Sequence, residues 1–381
     1  MTVQPAQGKQ NLWLRCETKE LERRAALTPK TAKALIDTGK FHIFVERDPQ
    51  RIFKDEEYEN VGCKLVPHSS WPTAPLEIPI IGLKELPTST TPLPHTHIQF
   101  AHCFKSQSGW TDVILRYSRG NGRLYDLEFL QDETGRRVAA FGFHAGFVGA
   151  AIGGLALTKQ LDGESVGGLE PYESEGELVE EVGRALKKAE ERLGRSPRAL
   201  VIGALGRCGS GAVSLFQKAG LSDENIVKWD MAETAKGGPF QEILDVDIFV
   251  NCIYLSQPIP KFVTRETISA AGPSRALRVV VDVSCDTTNP HNPIPIYEIN
   301  TTFSKPTVPV GIDRSLPSIE VCSIDHLPSL LPREASESFS EALLPSLMDL
   351  VNRETSPVWV GADKLYREKV EEAKVAVGQA P

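Results

Sequence analysis

Residues 200–213, LVIGALGRCGSGAV, set four glycines directly behind a run of buried-type aliphatic residues. An apolar run that stops at closely spaced glycines and resumes in helix-compatible residues predicts a strand, a tight turn and a helix. That junction belongs to parallel α/β sheets, in which each strand feeds a crossover helix. The first free N–H groups of such a helix also form a cradle for anions. The spacing is Gly203-x-x-Gly206-x-x-Gly209 and not G-x-G-x-x-G, so the turn alone leaves two readings open. It is a phosphate-binding turn or a tight corner in an ordinary sheet.

The next predicted strand, NIVKWD, ends on Asp230, 24 residues beyond Gly206. A carboxylate there accepts hydrogen bonds from a ribose diol and repels a 2′-phosphate, which favours NAD over NADP. The alternative is that the glycines serve packing and Asp230 caps a helix. Further strands are expected in RALVIGA, DIFVNCIY, RVVVDVS and IEVCSID, with the helix after the glycine turn running from about 209 to 219. TTNPHNPIPIYE, residues 287–298, reads as a long proline-rich loop.

The first third repeats the alternation. NLWLRCE, FHIFVE, EIPIIGLKE, HIQFAH and GRLYDLEFL read as strands, and WTDVILRYSRG as an amphipathic helix. In TPKTAKALIDTG, Thr28 caps a helix, Pro29 opens it and Gly39 stops it. Two terminal helices follow residue 334 without strands of their own, so they pack back on the first domain. The expected fold class is α/β: two Rossmann-like doubly wound domains with a cleft between them. A discontinuous substrate-side domain spans 1–137 plus 328–381, and an NAD-binding domain spans 138–327.

Residues 138–157, VAAFGFHAGFVGAAIGGLAL, carry no formal charge but include His144 and five glycines. Small residues at that density suit a helix buried against other backbones, and a membrane span is not expected. A net charge of −8 argues against nucleic acid as a partner, because phosphate binding draws on clustered cations. The seven cysteines include no Cys-x-x-Cys pair, so no metal site is expected. Neither MTVQPAQGKQNLW nor VGQAP reads as a targeting signal, which makes a cytoplasmic location the expectation. Nothing in the pattern demands an oligomer, and a monomer is expected.

ERRAALTP, IIGLKE, HIQFAHCFK, LYDLEFL, GRRVAAFG, GALGRCGSG, DVSCDTTNPHNPIPIY and IDHLPSLLPREAS occur in this order. On these motifs the chain, from about residue 11 to about 365, resembles the fungal NAD-dependent, L-lysine-forming saccharopine dehydrogenases. The opening motif is shared more loosely with alanine dehydrogenase and transhydrogenase. The resemblance implies oxidative cleavage of saccharopine to lysine and 2-oxoglutarate, with Lys84 and His102 as the acid–base pair. Lys84 suits a base if burial or a nearby cation keeps it neutral, and an imidazole serves as both base and acid near neutrality. Glu85 and Glu128 either adjust the charge of that pair or form plain salt bridges. On the substrate side the resemblance implies Arg24, Gln107, Arg137, Phe141, Asp282, Val283 and Ser284, with Lys19 as a helper. On the cofactor side it implies Arg136, Gly206, Arg207, Asp230, Thr234, Tyr254, Val281, Ile324, Asp325, His326 and Leu327.

Two other functions stay open: an alanine dehydrogenase-like enzyme on the same scaffold, and a non-catalytic NAD-binding scaffold for which Lys84 and His102 are dispensable. Cys208 in the glycine turn and Cys252 past another strand form a disulfide or stay separate thiols in a reducing cytosol.

Overall fold

Six aliphatic runs pair as one parallel sheet in the first unit of the computed structural model. They are β1 (Gln10–Leu14), β2 (Phe41–Glu46), β3 (Lys64–Val66), β4 (Ile80–Ile81), β5 (Thr96–Gln99) and β6 (Arg123–Asp126). Their spatial order is β3-β2-β1-β4-β5-β6. Chain order reverses between β1 and β4, where Trp13 pairs with Ile80 and Leu14 with Ile81. In open α/β sheets the ligand crevice lies at the carboxyl ends of the strands flanking such a reversal.

The second unit holds β7 (Ala199–Ile202), β8 (Ile226–Trp229), β9 (Ile248–Asn251), β10 (Val279–Asp282), β11 (Val308–Pro309) and β12 (Glu320–Cys322). The order is β11-β12-β10-β9-β7-β8, with only the edge strand β11 antiparallel. Its reversal falls between β7 and β9, so the glycine turn after β7 sits at the switch point. The chain divides into Met1–Ala140 with Pro332–Pro381, and Phe141–Leu331. Residues 5–255, 257–285, 287, 291–313 and 315–378 are described. The expected proline-rich loop lies partly outside them.

Helix ends follow local chemistry. The Thr28 hydroxyl accepts the Thr31 N–H, Thr31 returns the bond to the Thr28 N–H, and Pro29 opens helix Pro29–Asp37. The C-terminal helices Pro332–Met348 and Pro357–Ala376 close the first unit: Ser336 Oγ accepts from Ala25 N at 2.9 Å, and the Tyr366 hydroxyl donates to Gly122 O at 3.1 Å.

Helix Gly142–Leu161 takes in most of the uncharged segment and ends beyond it at Lys159–Leu161, with 14 of its 20 residues buried. It packs on helices Glu175–Leu193 and Arg207–Lys218. A Cβ on Gly146 would overlap the Cys208 carbonyl, and one on Gly211 that of Phe143, so glycine lets the two backbones touch. No described helix is long and apolar enough to cross a membrane.

The structure departs from the sequence expectation at small elements. β3 and β11 were not expected, being three and two residues long. The helix after the glycine turn starts at Arg207, two residues earlier than expected, because Gly206 already serves as its N-cap.

Buried histidines make the fold sensitive to acid. His97 lies fully buried with its ring edge-on to Trp71 and Tyr117, and burial first, then the Arg15 charge, hold its pKa well below the ordinary value. Burial likewise holds His144 at about 4. Both are neutral when folded and protonate more readily when unfolded. The stability they contribute is intact above pH ~6.5 and is lost on acidification at about 1.4 kcal/mol per pH unit per group. Urea midpoints are therefore expected to fall between pH 7 and 5, and less so in His97→Phe. An equal fall in that variant would contradict the assignment.

Candidate active site

In the first unit the functional side chains leave the carboxyl ends of four adjacent strands. Lys84 follows β4 and is half-buried. Burial, and next the Arg24 charge, hold its ammonium below the ordinary lysine value, with Glu22 offsetting part of the effect. Glu22 and Arg24 lie in the loop after β1, both about 4% exposed, and Arg24 donates from Nε and NH2 to the two Glu22 oxygens at 2.8 and 2.7 Å. Burial would raise Glu22, but the Arg24 charge and hydrogen bonds, with Lys84, outweigh it and keep the carboxylate ionised.

His102 follows β5 with φ +51, a left-handed conformation that costs a non-glycine residue of order 1–3 kcal/mol and collects at functional sites. Its ring stacks on Phe100, with Nε2 3.7 Å from Glu85 and Nδ1 4.0 Å from Glu128. Burial and the Lys84 charge lower its pKa, against the pull of the two carboxylates. Glu85 pairs with Lys19 at 3.3 Å. Glu128 receives Lys105 at 2.6 Å and Arg137 at 3.5 Å.

Asp126, at the end of β6, was not singled out from sequence. It is buried and accepts the backbone N–H of Ala101 at 3.2 Å and of Glu128 at 2.9 Å, holding both segments that flank the imidazole. Burial pushes it up to about 7. Its partners are backbone groups, so no side-chain pattern could have marked it.

Lys84, His102, Arg24 and Arg137 thus belong to one connected group with Lys19, Glu22, Glu85 and Glu128. Gln107 joins it through Lys105, whose N–H it accepts at 3.0 Å. Arg136 is exposed in a separate turn, where its N–H donates to Asp132.

In the second unit, Gly203 has φ +84 and its carbonyl accepts the Gly206 N–H at 3.0 Å. A Cβ on Gly209 would overlap that carbonyl and lie 2.6 Å from Ala204 Cα, whereas one on Gly206 would meet only Gly203 O at 3.2 Å. Gly209 is therefore a packing glycine. Gly206 and Arg207 are both exposed at the start of a 12-residue helix, the place a phosphate cradle takes.

Asp230 does cap a short helix, accepting Met231 N at 2.9 Å, but its other oxygen also takes Leu205 N at 3.1 Å from the glycine turn. The Thr234 hydroxyl donates to Asp230 O. Leu205 and Met231, whose N–H groups this carboxylate accepts, are 86% and 82% exposed, and Tyr254 is 68% exposed. Leu205 and Met231 were missed in the sequence, where a leucine between glycines reads as core.

The remaining positions divide by burial. Val281, Ile324 and Leu327 point into the core, so only their backbone faces the strand ends. Asp282 is fully buried and its carboxylate is taken up by Asn251, Ser284 and Tyr297, so it anchors the turn through half-buried Val283 and Ser284. Asp325 is exposed, His326 half-buried, and the two are paired with each other. Phe141, half-buried, precedes helix Gly142–Leu161. Cys208 and Cys252 are close enough for one to raise the other, yet both are free thiols, as are the other five.

Comparison with known proteins adds three findings. The family described as "Alanine dehydrogenase/PNT, N-terminal domain" matches residues 13–148. NAD(+)-dependent, L-lysine-forming saccharopine dehydrogenases of Candida albicans and Yarrowia lipolytica are 59% and 58% identical, each match covering 94% of this chain and 97% of the relative. A solved L-alanine dehydrogenase aligns with a TM-score of 0.61 at 14% identity, covering 94% of this chain and all of that one, a likeness of fold.

Proposed function

The chain belongs to the NAD(+)-dependent, L-lysine-forming saccharopine dehydrogenase family, and from that premise we propose how its residues perform the reaction. It is an oxidoreductase that cleaves saccharopine with NAD and water to L-lysine, 2-oxoglutarate and NADH, releasing one proton. One observation supports the residue roles above the rest: a half-buried lysine beside a buried arginine, next to an imidazole between two carboxylates.

Saccharopine carries a secondary amine, which must be neutral before hydride leaves the adjacent carbon. Lys84, whose charged form is disfavoured by burial and Arg24, takes that amine proton. NAD, when bound, supplies the hydride acceptor. The glycine turn fits a dinucleotide: Gly206 and Arg207 would hold the pyrophosphate and Asp230 and Thr234 the adenosine ribose. Tyr254 and the strand-end backbone at Val281 and 324–327, with Arg136, complete the cofactor side. The resulting substrate imine is attacked by water. His102 removes the water proton and returns a proton to the departing lysine amine, with Glu85 and Glu128 compensating the imidazolium charge.

Arg137, Gln107, Phe141 and the Val283–Ser284 turn are assigned to the substrate. Arg24, whose fork is engaged by Glu22, acts on Lys84 through its charge as well as on a substrate carboxylate. Arg137→Lys keeps the charge and loses the planar fork, so the KM for saccharopine should rise about 10-fold with a smaller change in kcat. Unchanged kinetics would remove Arg137 from the site. The function itself is tested by following NADH absorbance with saccharopine against alanine: turnover of saccharopine alone is expected, and turnover of alanine alone would transfer the chain to the other amino-acid dehydrogenase chemistry. A monomeric cytoplasmic enzyme is part of this reading, supported for compartment by the seven free thiols. Light scattering and fluorescence imaging of a tagged chain test it.

A further inference from the structure

The two sheets treat their switch points differently. After β7 the chain turns on glycines and leaves exposed backbone. After β1 it runs Arg15-Cys16-Glu17, and Arg15 and Glu17 are 1% and 6% exposed. At a chain-order reversal the connections after the two adjacent strands leave to opposite faces of the sheet, which opens a crevice beyond the strand ends. On the β5 side the extension of β4 stays paired, with Gly82 N to Ile98 O at 3.0 Å and Phe100 N to Leu83 O at 2.9 Å. On the β1 side two side chains take over. Glu17 accepts Leu83 N at 2.7 Å and Lys84 N at 3.0 Å. Arg15, 3.3 Å from Glu17, donates to the Lys84 carbonyl and to Gln99. Both backbone polar groups of Lys84 are thereby held by one buried ion pair.

Gly82 is the independent sign that this space is reserved. A Cβ there would overlap the Arg15 guanidinium, with NH2 at 2.7 Å. Buried ion pairs of this kind hold a specific geometry more than they add stability.

We propose that Arg15 and Glu17 are positioning residues for Lys84, filling the crevice that a nucleotide occupies in sheets of this order and turning it into the seat of the catalytic base. The proposal rests on the reading of Lys84 as that base. Neither residue touches the reacting atoms; they fix where the lysine side chain starts and keep it in its half-buried position. Loss of the clamp frees Lys84 toward solvent, where its ammonium is better hydrated and its titration moves up toward the ordinary lysine range.

The test uses the full chain with Glu17→Ala, Glu17→Gln and Gly82→Ala. Glutamine offers one oxygen to two N–H donors and turns an amide NH2 toward the other, so it should give an intermediate effect. Expected are a kcat for saccharopine lowered about 100-fold in Glu17→Ala and about 10-fold in Glu17→Gln, the loss that a displacement near 1 Å produces. The affinity for NADH, measured by fluorescence, should stay within about twofold because the glycine turn and Asp230 belong to the other unit. The second readout is the Lys84 titration followed by NMR of the reductively 13C-methylated protein, assigned with Lys84→Arg. Its midpoint should rise by about one pH unit or more in the variants. Variants that bind NADH normally and keep both kcat and the Lys84 midpoint overturn the proposal, and so does a lowered melting temperature with an unmoved midpoint. If Glu17→Ala does not fold, Glu17→Gln and Gly82→Ala decide on the same criteria. A wild-type chain inactive on saccharopine would sink the functional reading alone, since the NMR midpoint needs no substrate.

Discussion

Lys84→Met is expected to lower kcat for saccharopine oxidation by about 10²- to 10⁴-fold, the range general base catalysis contributes, while NADH still binds. Methionine keeps the length and apolar stem of the side chain but cannot accept a proton. The wild-type pH profile should carry the same group. Activity requires neutral Lys84, so kcat/KM rises with pH through the Lys84 midpoint, which burial first and the Arg24 charge second bring below the ordinary lysine value. In Lys84→Met that ascending limb should disappear. A variant retaining more than about a third of wild-type kcat and the same limb would exclude Lys84 as the base and leave the ascending limb to His102, whose pKa is also lowered.

Gly209→Ala is the second large effect. Its Cβ would overlap the Gly203 carbonyl and lie 2.6 Å from Ala204 Cα, and both neighbours are backbone with no rotamer to move. The turn must open, and overpacking against backbone costs about 3 kcal/mol, the upper end of its usual range. Spent on the cradle, that is roughly a 100-fold loss in NADH affinity. Gly206→Ala is the control, because its Cβ meets only Gly203 O at 3.2 Å and otherwise points to open space. An affinity loss there with an unchanged melting temperature reports the approach of a phosphate. Wild-type affinity in Gly209→Ala would mean that the turn is not the dinucleotide site.

The legible part of this molecule was the part in which neighbours in sequence are neighbours in space. The run ALVI of β7 followed by glycines, and Thr28-Pro29 at a helix start, carry their structure within a few residues. The uncharged segment was legible as a buried helix because its glycines have no other use at that density. Length limits the method at the other end: β3 and β11, of three and two residues, hold too few side chains to show a period.

The site was legible as residue types within motifs, and its wiring was not. The Glu17 hydrogen bonds to Leu83 and Lys84 span 66 and 67 residues. They exist only because β1 and β4 are neighbours at the reversal of strand order, which no local pattern announces. Asp126 escaped because its partners are backbone N–H groups, and Asp282 read as a ligand although its carboxylate is consumed by three internal donors. Leu205 and Met231 were not singled out, although they stand in solvent beside Asp230, whose carboxylate accepts both their N–H groups.

The most direct test of the central claim is to incubate the chain with saccharopine and NAD and quantify lysine, 2-oxoglutarate and NADH in the same samples over time. All three should grow in equal amounts, and only while both reactants are present. NADH formed without matching lysine and 2-oxoglutarate, or no product from a chain that binds NADH, would contradict it.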